Sequence, residues 1–141
     1  MGFAYVGIRV TELERSIRFY TRGLGLVEAD RGTMAHGGRW VALRDPVTNA
    51  ELELNYYPPG HPYATAYVPG EGLDHLGFQV HDARASVERL RAMGARVAVE
   101  PWLEEGRCWI GFVEDPDGLW VELESPVKGA APTPTAPSAP S

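Results

Sequence analysis

The chain has 141 residues, 44% of them hydrophobic and 23% charged, a balance typical of a single globular domain. Its formal net charge of −6 excludes the strongly basic surface of a nucleic-acid binder, and no apolar run approaches the ~18 residues that span a bilayer. The single cysteine, Cys108, excludes an internal disulfide framework and a multi-cysteine zinc site. We therefore expect a cytoplasmic protein without nucleic-acid or membrane partners.

The sequence repeats itself over about half of its length. Three pairs of segments match between the halves: 5–10 with 75–80, 45–46 with 115–116, and 53–54 with 122–123. Because this repeat is too long for a solenoid unit, it predicts a duplicated half-domain.

The first half predicts one strand, one helix and three further strands. Alternation of apolar residues predicts a strand at 4–10, and apolar residues at helical spacing predict a helix containing Leu13, Ile17 and Tyr20. Thr11 is the predicted N-cap of this helix, and Gly23 the predicted stop. Strands follow at 26–34, 39–44 and 50–56, with a turn at 45–49.

The second half predicts the same order. A strand at 73–80 precedes a helix capped by Asp82 and stopped by Gly94, and a turn is predicted at 115–118. The last three strands are predicted at 96–100, 108–114 and 119–124. The result is an α+β fold of two tandem βαβββ modules, about 3–57 and 73–125, in a folded unit of 1–125. Residues 126–141 are rich in Pro, Ala and Ser, and predict a disordered tail.

Strand parity places three potential ligands on the polar faces of the two sheets. Side chains alternate between faces along a strand, and the apolar faces must pack under the helices. His75 lies on the first strand of module two, while Glu53 and Glu122 lie on the last strands of modules one and two. One imidazole and two carboxylates form a nitrogen and oxygen set that suits a divalent first-row metal ion.

Two interpretations of this polar face compete. An antiparallel sheet often leaves one face in water, so polar residues there need no function. Gly7 and Gly77 favour a site, because glycine weakens a strand and indicates that something approaches the backbone closely. Trp120 on the same face favours a pocket that covers it, because exposing a large aromatic side chain to water is unfavourable.

The segments VGIRVTELERSIRFYTRGLGL, ELELNYYP, LDHLGFQV and FVEDPDGLWVELESP resemble the vicinal oxygen chelate superfamily. This group includes glyoxalase I, methylmalonyl-CoA epimerase, extradiol dioxygenases and fosfomycin- and bleomycin-resistance proteins. The resemblance covers nearly all of residues 4–125 and is greatest to lactoylglutathione lyase-like members. It implies a cup-shaped eight-stranded mixed sheet with the helices outside.

The resemblance also implies one divalent metal ion (Ni, Zn, Mn, Fe or Co) held by four side chains. Position by position these are Tyr5, Glu53, His75 and Glu122. Tyr5 departs from the family pattern, which has His or Gln at this position, and a neutral phenol is a weak ligand. Without a histidine there, the two-His-one-carboxylate site of iron dioxygenases cannot form at these positions.

Three further residues are implied to bind substrate. Arg9 matches an arginine that holds a glutathione carboxylate in glyoxalase I, and a guanidinium suits that role. Asn55 lies on the same face as Glu53, and Trp120 lies beside the predicted site. Of the basic residues expected in the second half, only Arg107 is available. The superfamily commonly forms dimers with sites at the interface, which implies a homodimer.

The predicted function is a glyoxalase-like metal-dependent lyase or isomerase. It would act on a small carbonyl compound, such as a thiol adduct, through a metal-chelated enediolate, with Glu122 as the first choice of proton shuttle and Glu53 as the second. One alternative is a metal-free binder of small molecules, resembling bleomycin-resistance proteins. It is favoured by Tyr5 and by aromatic residues such as Trp40 on the polar face. Another is a different metalloenzyme of the same superfamily, such as an epimerase or a dioxygenase.

The remaining reactive side chains have simpler predicted roles. His36 and His61 are expected to be solvated in loops or to line a rim, and His81 is expected at the surface. Cys108 is expected to be a small buried hydrophobe. The linker at 56–72, rich in Tyr and Pro, predicts either a lid over the site or a packed crossover.

Overall fold

The computed structural model describes residues 4–62 and 64–127. Module one consists of β1 (Val6–Arg9), α1 (Leu13–Arg18) continued by a π-helical turn (Phe19–Gly23), β2 (Val27–Thr33), a 3₁₀ turn (Ala35–Gly37), β3 (Arg39–Arg44) and β4 (Glu51–Tyr56). Module two consists of β5 (His75–Gln79), α2 (Ala83–Ala92), β6 (Val97–Glu104), β7 (Cys108–Glu114) and β8 (Trp120–Pro126). The predicted α+β class and the tandem βαβββ order are confirmed.

The eight strands are divided equally between two mixed sheets. The strand orders are β1-β4-β3-β2 and β5-β8-β7-β6, so the two modules have the same topology. In each sheet the first strand is an edge strand that runs parallel to the last strand of its module, while the other pairings are antiparallel. This parallel pairing places the first and last strands side by side, where the predicted ligands lie.

One apolar core joins the modules. Leu52 and Leu54 on β4 and Val121 and Leu123 on β8 are buried, as the parity of these strands predicts. Ile17 from α1 and both Val87 and Leu90 from α2 belong to the same cluster. The opposite faces of both sheets are thereby left for polar side chains. The described residues include no helix that is long and apolar enough to cross a membrane.

The turn between β7 and β8 connects module two to the helix of module one. Asp115 is buried and accepts a hydrogen bond from the Tyr20 hydroxyl at 2.9 Å. Asp117 accepts hydrogen bonds from the Thr11 backbone N–H at 3.1 Å, from the Thr11 hydroxyl, and from the Ser16 hydroxyl at 3.3 Å. The prediction that Thr11 caps α1 is therefore wrong, because its hydroxyl donates a hydrogen bond to Asp117 instead. The N-cap position is Glu12, which makes no side-chain capping bond.

The other predicted helix signals are confirmed. Asp82 caps α2 by accepting a hydrogen bond from the Ala85 N–H at 3.1 Å, and this bond lowers the pKa of the Asp82 carboxyl. Gly94 follows α2 with a φ of +96°, a conformation that favours glycine. Gly23 ends the π-helical turn, and a Cβ there would lie 2.7 Å from the Leu90 side chain. Its small size therefore allows the two helices to approach.

The element bounds differ from the sequence prediction at a few points. β1 begins at Val6 rather than at residue 4, β6 extends to Glu104 rather than to residue 100, and β8 extends through Pro126. The folded structure thus continues one residue beyond the predicted limit at 125. Most of the predicted disordered tail, residues 128–141, lies outside the described residues.

Candidate active site

His75 and Glu122 form the best-defined part of the predicted site. Parallel pairing of β5 with β8 sets Gly77 opposite Glu122, so the histidine and the glutamate project from the same face. The His75 Nε2 atom lies 3.4 Å from the Glu122 Oε2 atom. The His75 Nδ1–H donates to the Asp74 carboxylate at 2.6 Å. This hydrogen bond orients the ring and leaves Nε2 facing Glu122, as in metal sites where a carboxylate orients a ligating histidine.

The chemistry of this pair fits a cation. When Nδ1 carries the proton, Nε2 and the carboxylate oxygen are both acceptors, and two facing acceptors repel unless a proton or a cation lies between them. An imidazole nitrogen and a carboxylate oxygen are ordinary ligands of divalent first-row metals. The pair supplies two of the four predicted donors.

The equivalent positions of module one hold Tyr5 and Glu53. β1 pairs with β4 so that Gly7 lies opposite Glu53 and Arg9 opposite Asn55. The Tyr5 side chain is 48% exposed, and a Cβ on Gly7 would lie 3.2 Å from the Asn55 amide nitrogen. The Asn55 side chain therefore lies across Gly7, which is the kind of close approach that the glycine predicted. At Gly77, by contrast, a Cβ would meet nothing within 4 Å.

The structure does not bring the two pairs together in one chain. Among residues 4–62 and 64–127, no group of three or more His, Cys, Asp or Glu side chains could hold a metal ion. Glu53 therefore does not join His75 and Glu122 in one such group. We call the His75–Glu122 pair, and the equivalent module-one positions Tyr5 and Glu53, the two half-sites. Each half-site lies next to an edge strand, β1 or β5.

Aromatic side chains surround the module-two half-site. The Phe112 ring lies 5.5 Å from the His75 ring, 5.5 Å from the Trp120 ring and 6.1 Å from the Trp102 ring, measured between centroids. Trp120 is 39% exposed, and we call this group of three rings the aromatic wall. Sequence reasoning identified Trp120 but missed Trp102 and Phe112. The alternation of faces along β7 could have placed Phe112 on the polar face. In the structure, Phe112 pairs opposite Glu122 of β8.

The linker between the modules covers Arg9. The Arg9 guanidinium donates to the Thr65 hydroxyl at 2.8 Å and lies 5.5 Å from the centre of the Tyr67 ring. A cavity of about 370 Å³ lies between β1 and this part of the linker, with Gly7 and Arg9 in its lining. Burial, with smaller effects of nearby acidic groups, raises the pKa of Tyr67 to about 12. The predicted substrate-binding arginine is therefore held by linker residues.

The histidine and cysteine predictions have mixed outcomes. His36 and His81 are exposed as expected. The prediction for His61 is wrong: this side chain is buried, it donates through Nε2 to the Ala35 carbonyl at 2.9 Å, and it stacks on Tyr57. A loop residue can be buried in this way when its polar atoms find partners. Cys108 is only partly buried, and burial raises the pKa of its thiol.

Comparison with known proteins identifies the family. The family model described as the Glyoxalase/Bleomycin resistance protein/Dioxygenase superfamily matches residues 2–123. The chain belongs to this superfamily, which confirms the resemblance noted in the sequence.

Its relatives include proteins named as lactoylglutathione lyases. A probable lactoylglutathione lyase of Synechocystis sp. is 32% identical over 128 residues, which cover 87% of this chain and 94% of that protein. A putative lactoylglutathione lyase of Brassica oleracea var. gemmifera is 32% identical over 136 residues, covering 94% of this chain and 46% of that protein. The chain spans less than half the length of the plant relatives that it matches.

Solved structures share the fold. The trypanothione-dependent glyoxalase I of Leishmania major superposes with a TM-score of 0.68 and is 28% identical, with 89% of this chain and 86% of that chain covered. The tandem-module architecture is thus that of glyoxalase I-type proteins.

Proposed function

We propose that the protein is a glyoxalase I-like lyase that converts the adduct of a thiol and a small α-ketoaldehyde into a thioester of a 2-hydroxy acid. The single observation that carries this proposal is the His75–Glu122 pair, in which a carboxylate-oriented imidazole faces a carboxylate at 3.4 Å. Support comes from the relationship, over most of the chain, to proteins named as lactoylglutathione lyases. A cytoplasmic location belongs to the same proposal, since Cys108 is a free thiol.

The reaction is an isomerisation that moves one carbon-bound proton and one hydroxyl proton, and it needs no oxidant. A carboxylate removes the proton from the carbon that bears sulfur and returns it to the neighbouring carbon, while the hydroxyl and carbonyl oxygens exchange roles. Glu122 is the first candidate for this shuttle and Glu53 the second, because a positioned carboxylate is a competent general base. A bound divalent metal ion would supply Lewis-acid stabilisation of negative charge on the substrate oxygens. His75, Glu122, Glu53 and Tyr5 are the residues proposed to hold it.

We further propose that each complete site forms between two copies of the chain. Within the described residues, Glu53 does not join His75 and Glu122 in one group, and β1 and β5 are edge strands of their sheets. An unpaired edge readily accepts another strand. A homodimer that sets β1 of one protomer beside β5 of its partner would complete the four-ligand set twice.

The proposed substrate carries an apolar group and an acidic group. The aromatic wall of Trp102, Phe112 and Trp120 offers ring faces beside His75 for an aromatic or alkyl substituent. Arg9, once released from Thr65, offers a guanidinium for a carboxylate of the thiol, and Asn55 lies beside it. The same aromatic wall favours the second candidate function, metal-free binding of an apolar small molecule.

The first experiment separates the two functions. Metal content is measured on untagged protein by mass spectrometry, and thioester formation from phenylglyoxal and glutathione is followed by ultraviolet absorbance. If the protein is the proposed enzyme, it should contain bound metal and its activity should be lost on chelation. His75→Ala should then lose both the metal and the activity. A protein that takes up no metal but binds phenylglyoxal analogues with quenching of tryptophan fluorescence would instead be a binder.

The second experiment tests the proton shuttle. Glu122→Gln should lose nearly all turnover and keep the melting temperature. Glu124→Gln is the matched control, since Glu124 lies on the same face of β8 and accepts a hydrogen bond from Gln79 at 3.2 Å. Retained turnover in Glu122→Gln would remove Glu122 from this role.

The third experiment tests the shared site. His75→Ala and Glu53→Gln are purified as inactive proteins and mixed under conditions that exchange subunits. If sites form between chains, the mixed dimer contains one intact site and one doubly impaired site, and activity returns on mixing. Sites formed within a single chain would give no complementation.

A further inference from the structure

A second cavity lies between the two helices, away from the candidate active site. It has a volume of about 590 Å³ and is bordered by the end of α1, the residues after α2 and the β7–β8 turn. Phe19, Met93 and Ala95 form an apolar part of its lining. Met93 is 46% exposed, so part of its apolar side chain is open to a bound ligand. The volume is within the range of about 300–1,000 Å³ that small-molecule sites occupy.

Four arginines also line this cavity, and two of them are already paired. Arg96 forms a two-pronged ion pair with Glu114. Arg15 lies 3.6 Å from Asp117 and 3.7 Å from Glu12. These two guanidiniums are compensated within the chain.

Arg18 and Arg22 are not compensated. Both are exposed, and within residues 4–62 and 64–127 neither has a carboxylate partner. Asp115, the other acidic residue of the lining, is buried and accepts hydrogen bonds from Tyr20, Asp117 and Leu119. A chain with a net charge of −6 therefore presents uncompensated positive charge at this cavity.

The local helix geometry holds the two arginines on one side. They are four residues apart, where α1 changes into the π-helical turn Phe19–Gly23. Side chains at this spacing are neighbours on a helix, and like charges there destabilise it. An anion between Arg18 and Arg22 would offset their repulsion.

We propose that this cavity binds a small amphipathic organic anion: a carboxylate, sulfonate or phosphate attached to an aromatic or aliphatic body. The acid group lies between Arg18 and Arg22, because a guanidinium binds such groups through paired N–H donors. The apolar body covers Phe19, Met93 and Ala95. This site is separate from the proposed lyase reaction and does not depend on it.

The test uses the full chain and the fluorescent dye anilinonaphthalene sulfonate, which combines a sulfonate with aromatic rings. We expect saturable dye binding that decanoate displaces, whereas decanol, which lacks the acid group, and inorganic phosphate, which lacks the apolar body, displace it poorly. Arg18→Gln with Arg22→Gln should weaken dye binding by about tenfold or more, as loss of charge-assisted contacts predicts. Met93→Glu should weaken it similarly by placing a carboxylate beside the apolar body.

Two controls keep the result interpretable. Arg89→Gln removes an exposed arginine of α2 outside this cavity and should leave dye affinity unchanged. Arg18→Lys with Arg22→Lys keeps the charge but loses the paired N–H donors, so its dye affinity should lie between those of the original protein and the double glutamine variant. Unchanged dye affinity in the double glutamine variant would overturn the proposal, since the dye would then occupy another surface such as the aromatic wall. Equal displacement by decanol and decanoate would also overturn it.

Discussion

Replacing Tyr20 with phenylalanine tests the buried connection between the two modules. The Tyr20 hydroxyl donates to Asp115 Oδ2 at 2.9 Å, and the other carboxylate oxygen accepts from the backbone N–H groups of Asp117 and Leu119 at 2.8 and 2.9 Å. Removing the hydroxyl leaves a buried oxygen without its donor, which costs about 1–3 kcal/mol. With a urea m-value of about 1–3 kcal/mol per molar, the unfolding midpoint should fall by roughly 1 M.

This loss should depend on pH in a defined direction. Burial raises the pKa of Asp115 above its ordinary value, whereas the hydrogen bond from Tyr20 acts in the opposite direction. A carboxyl with a raised folded-state pKa contributes stability that is greatest below its unfolded-state pKa and is lost as pH rises through the folded-state pKa. Without Tyr20 the pKa of Asp115 rises further. The stability lost in Tyr20→Phe should therefore be larger at about pH 7 than at about pH 4.

The assay is urea unfolding followed by tryptophan fluorescence at both pH values and one protein concentration. Burial and Asp115 raise the pKa of Tyr20 well above its usual value, so the hydroxyl remains a donor throughout this range. Tyr56→Phe is the control, because the Tyr56 ring packs under Arg39 and its hydroxyl has no hydrogen-bond partner among the described residues. Equal losses at the two pH values, or no loss at pH 7, would refute the reasoning.

Four other substitutions have defined outcomes. Gly32→Ala should destabilise the protein by about 1–3 kcal/mol, because the added Cβ would lie 2.7 Å from the Trp40 ring. At Gly77 an added Cβ would meet open space, so Gly77→Ala should leave the thermal midpoint unchanged or raise it. Ser125→Ala removes a buried hydroxyl that accepts a backbone N–H at 2.9 Å, and a loss of about 1 kcal/mol should appear in urea unfolding. Asp82→Ala should lower the thermal midpoint at neutral pH. Because the folded-state pKa of Asp82 is lowered, its difference from the original protein should disappear as pH falls through that pKa.

Much of the candidate site was predictable because strand parity is a local property. The register sets Gly7 opposite Glu53 and Gly77 opposite Glu122, as the duplicated pattern indicated. The pairing of Asp74 with His75 could not be predicted, since it depends on the rotamer of an exposed side chain. The prediction that Thr11 caps α1 failed because the Thr11 hydroxyl donates instead to Asp117, which lies far along the chain. Such partners have no signature in the local sequence.

The sequence alone determined the repeat, the βαβββ order, the faces of the strands and the family, because all of these follow from residue type and short-range spacing. Only the tertiary structure decided how the modules are joined, through buried Asp115 and Tyr20. It also decided that Glu53 does not join His75 and Glu122 in one group, and that Phe112 packs against His75 while Trp102 stacks on Phe112. These features depend on the relative placement of distant segments, which is set by packing of the shared core rather than by any pattern within one segment.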